Sequence, residues 1–191
     1  RRNWKRAVGV GLVAFVVSRL CVAAGSAVRA SQVVVDQRKD GEPEQGAVEL
    51  MTGVLTSWDG AWYLELIRKG YPESIPANIT YNQEEARAAF FPMYPGAVRA
   101  FDTVLPGGDT LAALVLNVLL GAMSVVLVGI MARRVFSTTV AARAMVLYAV
   151  FPGSFVLSFA YSEALFIVFA AACLLLLFDE QWLLAGLAAA L

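Results

Sequence analysis

The sequence predicts an all-α, multi-pass membrane protein, and three observations carry that prediction. Hydrophobic residues make up 59% of the 191 and charged ones 16%, with a mean hydropathy of +0.67, more apolar surface than a soluble domain of this length hides in one core. The apolar residues come in runs long enough to span a bilayer. The charge is also segregated, because residues 31–109 hold 12 acids against 6 bases while the rest of the chain holds 3 acids against 9 bases.

The first element follows the basic cluster Arg1, Arg2, Lys5 and Arg6. Ala7 to Val28 is an apolar run of span length. A cleaved signal peptide is the competing reading, and it is disfavoured by Arg19 and by the lack of a clear small-residue cleavage site. The polar, Gly- and Pro-bearing stretch from Asp36 to Gln45 reads as a mobile loop. Ala47 to Gly70 and Ala86 to Phe101 carry apolar residues at helical spacing, with Pro92 and Pro95 limiting the second stretch to short helical pieces. Both read as interfacial helices, with Trp58, Trp62, Phe90, Phe91 and Tyr94 at headgroup depth. Asn78-Ile79-Thr80 fits a glycosylation sequon, relevant only in a eukaryotic host.

A second span is expected over Leu111 to Met131, closed by Arg133 and Arg134. A third follows Arg143 and is interrupted at Phe151-Pro152-Gly153-Ser154. Tyr161 to Phe178 returns, Asp179-Glu180 turns the chain, and Trp182 opens a last helix of about ten residues, half the length a span needs. The expected organisation is therefore a basic N-terminus and first span over 1–30, a loop with interfacial helices over 31–110, and further transmembrane helices over 111–191. With no initial methionine and an unfinished last span, the N-terminal part of a longer protein is expected. The positive-inside rule places the basic ends in the cytoplasm and the acidic 31–109 segment outside it.

Composition also removes several functions. There is no histidine, no Gly-rich phosphate loop and no Cys/His cluster, so Ser-His hydrolysis, zinc chemistry and ATP-driven transport lack their usual signatures. Scattered acids imply no divalent metal, and no cofactor is called for. The basic residues flank spans and form no groove-sized stripe, which argues against nucleic acid as a partner. Cys21 and Cys173 sit in apolar runs and read as lipid-facing or packing residues. Arginine outnumbers lysine 12 to 3, which points to a GC-rich, bacterial source.

Three places can carry chemistry. A helix starting near Ser57 puts Asp59 in its first turn, where unpaired backbone N–H groups favour a carboxylate. Tyr63 then lies at i+4 on the same face, and Gly60 leaves room for a substrate. The competing reading is a helix-start aspartate in an aromatic belt. Tyr161-Ser162-Glu163 sits at the end of a span, where an ionisable group is costly and faces a polar cavity or a partner arginine. Arg19 lies roughly 18 Å along the first helix from Ala7, placed either for a salt bridge to Glu163 or for a lipid phosphate.

These residues sit in blocks with a family resemblance. Trp58-Asp59-Gly60-Ala61-Trp62-Tyr63-Leu64, Gly70-Tyr71, Ala89-Phe90-Phe91-Pro92-Met93-Tyr94-Pro95, Phe151-Pro152-Gly153-Ser154-Phe155 and Tyr161-Ser162-Glu163-Ala164-Leu165-Phe166, in that order, resemble the PIG-V-like mannosyltransferases, in particular a bacterial, actinobacterial member. The resemblance implies a GT-C fold, with a transmembrane bundle and a large first extracytoplasmic loop carrying juxtamembrane helices. It also implies a polyprenyl-phosphate mannose donor and a glycolipid acceptor of the glycosylphosphatidylinositol, phosphatidylinositol-mannoside or lipoglycan type. By that likeness Asp59 is the catalytic base and Glu163 a second catalytic acid. Arg19, Trp58, Trp62, Tyr63, Phe91, Tyr94, Tyr161 and Ser162 line the substrate. Arg68, Lys69, Arg87 and Arg99 are further candidates for the donor phosphate. The expected location is the plasma membrane of a bacterium or the endoplasmic reticulum membrane of a eukaryote, with the site on the extracytoplasmic or lumenal side among membrane lipids. A transporter or lipid scrambler and a non-catalytic subunit of a glycolipid assembly complex stand as alternatives, and no oligomeric state is assigned.

Overall fold

The computed structural model describes residues 2–40, 45–74 and 87–191, and the described residues are helical with no strand. In chain order the helices are α1 (Arg2–Asp40), α2 (Ala47–Leu55), α3 (Asp59–Lys69), α4 (Met93–Asp102), α5 (Asp109–Val135), α6 (Thr138–Val150), α7 (Glu163–Phe178) and α8 (Trp182–Ala190). Short 3-10 segments cover Arg87–Ala89 and Pro152–Ser158. Among the described residues two helices are long and apolar enough to cross a membrane, Arg2–Lys39 and Asp109–Val135. Counting α6 with Pro152–Ser158, which are bent by 74°, as one broken span makes three.

The first helix corrects the expected loop boundary. It does not stop near Val28 but runs 39 residues to Asp40, about 58 Å at 1.5 Å per residue and nearly twice a hydrocarbon core. Asp36 to Asp40 is therefore helix. No glycine or proline interrupts the chain between Ser26 and Asp40, Arg38 and Lys39 in the last turn suit the negative end of the helix dipole, and Lys39 pairs with Asp36 at 3.6 Å. Gly41 to Glu44 lie outside the described residues, as does Asn78-Ile79-Thr80.

The chain divides into two compact units. One comprises Arg1–Gly25, Asn117–Ser158 and Ser162–Leu191. Inside it close packing depends on missing side chains, as in helices that associate within lipid. A Cβ on Gly11 would sit 2.7 Å from Met145 Cβ, one on Gly129 2.4 Å from Met145 Sδ, and one on Gly121 2.8 Å from Phe15 Cζ. Met145 and Phe15 are correspondingly buried. Gly11→Val is expected to cost about 2 kcal/mol, because the atom it meets is a Cβ that moves only with its backbone. Gly129→Val meets the flexible end of the same methionine and should cost less; thermal unfolding in detergent gives the order, and the reverse order would contradict this packing.

Ser137 starts α6 by accepting the Val140 N–H at 3.3 Å, the expected role of a serine at a helix N-cap. Both Nη atoms of Arg134 donate to the Asp179 carboxylate, Nη2 at 2.8 Å. This joins the end of α5 to the Asp179-Glu180 turn between α7 and α8, and those two helices pack against each other. Cys21 and Cys173 are free thiols.

The other unit comprises Ser26–Leu116 with Phe159–Tyr161. Its centre is α3 against α4, with Leu66, Tyr94 and Val98 fully buried. Pro95 is tolerated because it falls in the first turn of α4, where an N–H has no helical acceptor. The last carbonyls of α3 are closed by Arg99, whose Nε and Nη2 donate to Ile67 O at 2.9 and 2.7 Å. Gly70 ends the helix at φ +75°, and Arg87 donates to its carbonyl at 3.1 Å.

Candidate functional site

The corner between α2 and α3 carries the first candidate group. Trp58 precedes α3 at φ 52°, ψ −120°, a region in which a residue with a Cβ is strained by about 1–3 kcal/mol. Such a conformation persists only where its neighbours over-determine it, and here they do. Ser57 O accepts the Gly60 N–H at 3.1 Å and the Tyr161 hydroxyl at 3.2 Å. Ala160 N donates to Leu55 O at 3.0 Å, and the Trp58 ring stacks on Phe159 with centroids 6.2 Å apart. The Phe159–Tyr161 strap thus clamps residues 55–60.

Asp59 is the first residue of α3 and is exposed. Its carboxylate stands at the helix end where N–H groups lack acceptors and the dipole is positive. Gly60 is buried against the strap, and a Cβ there would lie in ordinary contact, 3.5 Å from Ala160 Cβ, Ala160 O and Tyr161 Cε1.

The aromatic residues separate into two kinds. Trp58 is 70% and Phe91 82% exposed, and Trp62 is half-buried. Tyr63 and Tyr94, expected to touch substrate, are instead buried core residues. Tyr63 meets Phe90 at 4.8 Å and Tyr94 at 4.9 Å, both edge to face, because α4 and the chain before it fold over that face of α3. Tyr161 is likewise buried in the strap, 5.4 Å from Phe159.

The basic residues named for a donor phosphate are engaged with the protein. Arg68 binds Asp109 at 2.6 and 2.8 Å, and that hydrogen bond raises the guanidinium above its ordinary value. Lys69 binds Glu65 at 2.8 Å and holds that carboxyl below the usual range. Arg87 and Arg99 cap carbonyls as described above.

In the other unit, Arg19 sits in a cradle of hydroxyls. Nη1 donates to Ser154 O at 2.6 Å and Ser158 Oγ at 2.9 Å, and Nη2 to Ser154 Oγ at 2.9 Å and Ser18 Oγ at 3.0 Å. The Phe15 ring lies 4.8 Å from Cζ, and Nε is buried with no protein acceptor. The cradle exists because Pro152 breaks the helix after α6. That break frees carbonyls and turns Ser154 and Ser158, four residues apart, to one side. These serines were missed in the sequence, although hydroxyls at that spacing after a proline in an apolar run are a readable signal. Ser162 and Glu163 open α7, Glu163 in its first turn, where the dipole again favours a carboxylate.

Among the described residues no group of three or more Cys, Asp or Glu is placed to hold a metal. Comparison with family models, curated proteins and solved structures found no match to the chain.

Proposed function

We propose that the protein is a membrane glycosyltransferase that moves mannose from polyprenyl-phosphate mannose to a lipid-linked acceptor at the extracytoplasmic face, with Asp59 as general base. The observation that carries the reading is the clamped corner at Trp58. It presents an exposed carboxylate from the first turn of a helix, beside the exposed Trp58 ring. Structural strain concentrated next to a titratable group is a mark of functional sites, and exposed aromatic faces suit sugar rings and lipid interfaces.

In the step, the acceptor hydroxyl oxygen forms a bond to the anomeric carbon as the bond from that carbon to the phosphate oxygen breaks. The electron pair leaves with the phosphate and the hydroxyl proton passes to Asp59. Phosphate is a good leaving group, so the chief demands are deprotonation and positioning. Arg19 is the proposed contact for a lipid phosphate, as a planar guanidinium suited to phosphate oxygens, and Glu163 is the proposed second acid. Trp62, Phe91 and Ser162 are assigned to substrate contact. Tyr63, Tyr94 and Tyr161 hold the backbone from within.

A single displacement inverts the anomeric centre, so a β-linked donor gives an α-mannoside. Labelled product released by α-mannosidase and not by β-mannosidase is the expected result. A β-linked product would remove Asp59 from the role of base in a single displacement.

A second reading rests on the 74° break between α6 and Pro152–Ser158 with a guanidinium bound at it. Broken helices with freed backbone groups are a feature of transporter binding sites, and a transporter or scrambler would move an anionic lipid without changing its covalent structure.

A further inference from the structure

The N-terminal turn of α1 and the C-terminal turn of α5 meet at a cavity of about 420 Å³ lined by Trp4, Ile130, Arg133 and Arg134. The Arg133 Cζ lies over the Trp4 ring, 4.8 Å from its centroid, while Arg134 is held by Asp179. Arg2, Lys5 and Arg6 belong to the same end of α1, whose first turn carries no acid, and the helix dipole adds positive charge there. Among the described residues, Arg134 is the one of these cations with a carboxylate partner, so the cavity keeps a surplus of positive charge. Its wall is mixed, with an indole and an isoleucine beside the arginines. Both helices are of membrane-spanning length and hydropathy, which puts this end at a bilayer surface.

We propose that this cavity binds the headgroup of an anionic phospholipid, with Arg133 donating to the phosphate and Trp4 packing against the glycerol and upper acyl carbons. A phosphate diester supplies acceptors for the guanidinium fork, an indole partitions to the carbonyl level of a bilayer, and basic pockets between spans are suited to anionic headgroups. The occupant is a lipid and not free phosphate, because two of the four lining residues, Trp4 and Ile130, are apolar and suit glycerol and acyl carbons better than a bare anion. The inference needs only that α1 and α5 cross the membrane; it does not depend on the transferase reading.

The test uses the whole chain in nanodiscs of phosphatidylcholine carrying a small fraction of pyrene-labelled phosphatidylglycerol, with binding read as energy transfer from tryptophan to pyrene. Unlabelled phosphatidylglycerol, inorganic phosphate and glycerol 3-phosphate serve as competitors. Arg133→Gln is expected to weaken phosphatidylglycerol binding about 5-fold, the worth of one cation near an anionic surface, with phosphatidylcholine unaffected. Trp4→Leu, read by displacement of a spin-labelled phosphatidylglycerol since it removes the donor indole, is expected to weaken it as well. Arg143→Gln removes an exposed cation that does not line the cavity and should leave binding unchanged. Equal losses in Arg133→Gln and Arg143→Gln would reduce the effect to general surface charge and overturn the site. Displacement by inorganic phosphate or glycerol 3-phosphate as effective as by the lipid would overturn the lipid as occupant.

Discussion

Asp59→Asn is expected to lower mannose transfer by about 10²–10⁴-fold, the contribution a positioned general base makes. The substitution keeps the shape of the side chain and removes its ability to accept the acceptor's proton. Because Asp59 is exposed and not part of the α3–α4 core, the fold should change by less than about 0.5 kcal/mol. Initial rates at equal expression, with thermal unfolding beside them, separate the two effects. Unchanged transfer in a folded variant would exclude Asp59 as the base, and lost transfer with a lowered unfolding temperature would mark it as a structural residue.

Arg19→Leu is expected to destabilise the unit that contains it by about 3 kcal/mol, since hydrogen bonds to a charged group contribute about 1.5–3 kcal/mol each and partial repair is available. Ser154 Oγ keeps its bond to Ala149 O at 2.9 Å, but Ser154 O and Ser158 Oγ lose the donors that the broken helix requires. Arg19→Lys retains the charge without the planar fork that reaches four oxygens, and should fall between the two. Unfolding in detergent reads the series. A leucine variant as stable as the wild type would mean that the cradle contributes nothing to holding the break after α6.

Much of the fold was legible because span length, basic flanks and breakers are local properties. Arg133-Arg134 and the Asp179-Glu180 turn stand where hydropathy and charge place them, whereas the span expected after Arg143 already begins at Thr138, because Ser137 caps it and Arg143 falls inside the helix. The other exception, the run of α1 on to Asp40, arose from reading polarity as loop. Helix continuation depends on backbone breakers, and none stands between Ser26 and Asp40. The start of α3 at Asp59 was legible for the same local reason, a carboxylate suited to a first turn.

What the sequence does not show is tertiary. Nothing local marks Phe159–Tyr161 as a strap over residues 55–60, about a hundred positions away, so the packing of Ala160 and Tyr161 beside Gly60 is not readable there. Tyr63 and Tyr94 share the aromatic chemistry of Trp58 and Phe91, and only the packing of α4 on α3 separates buried rings from exposed ones. The serine cradle of Arg19 joins residues 135 and 139 positions apart, a separation that periodicity within one helix does not reach.

The central claim is that a covalent sugar transfer takes place and depends on Asp59. Its most direct test is incorporation of label from polyprenyl-phosphate mannose into lipids of membranes that carry the wild-type protein, membranes that carry Asp59→Asn at equal expression, and membranes with neither. The account predicts a new labelled mannolipid in the first alone. Label that crosses the bilayer with no new covalent product, or a mannolipid formed equally well by Asp59→Asn, would contradict it.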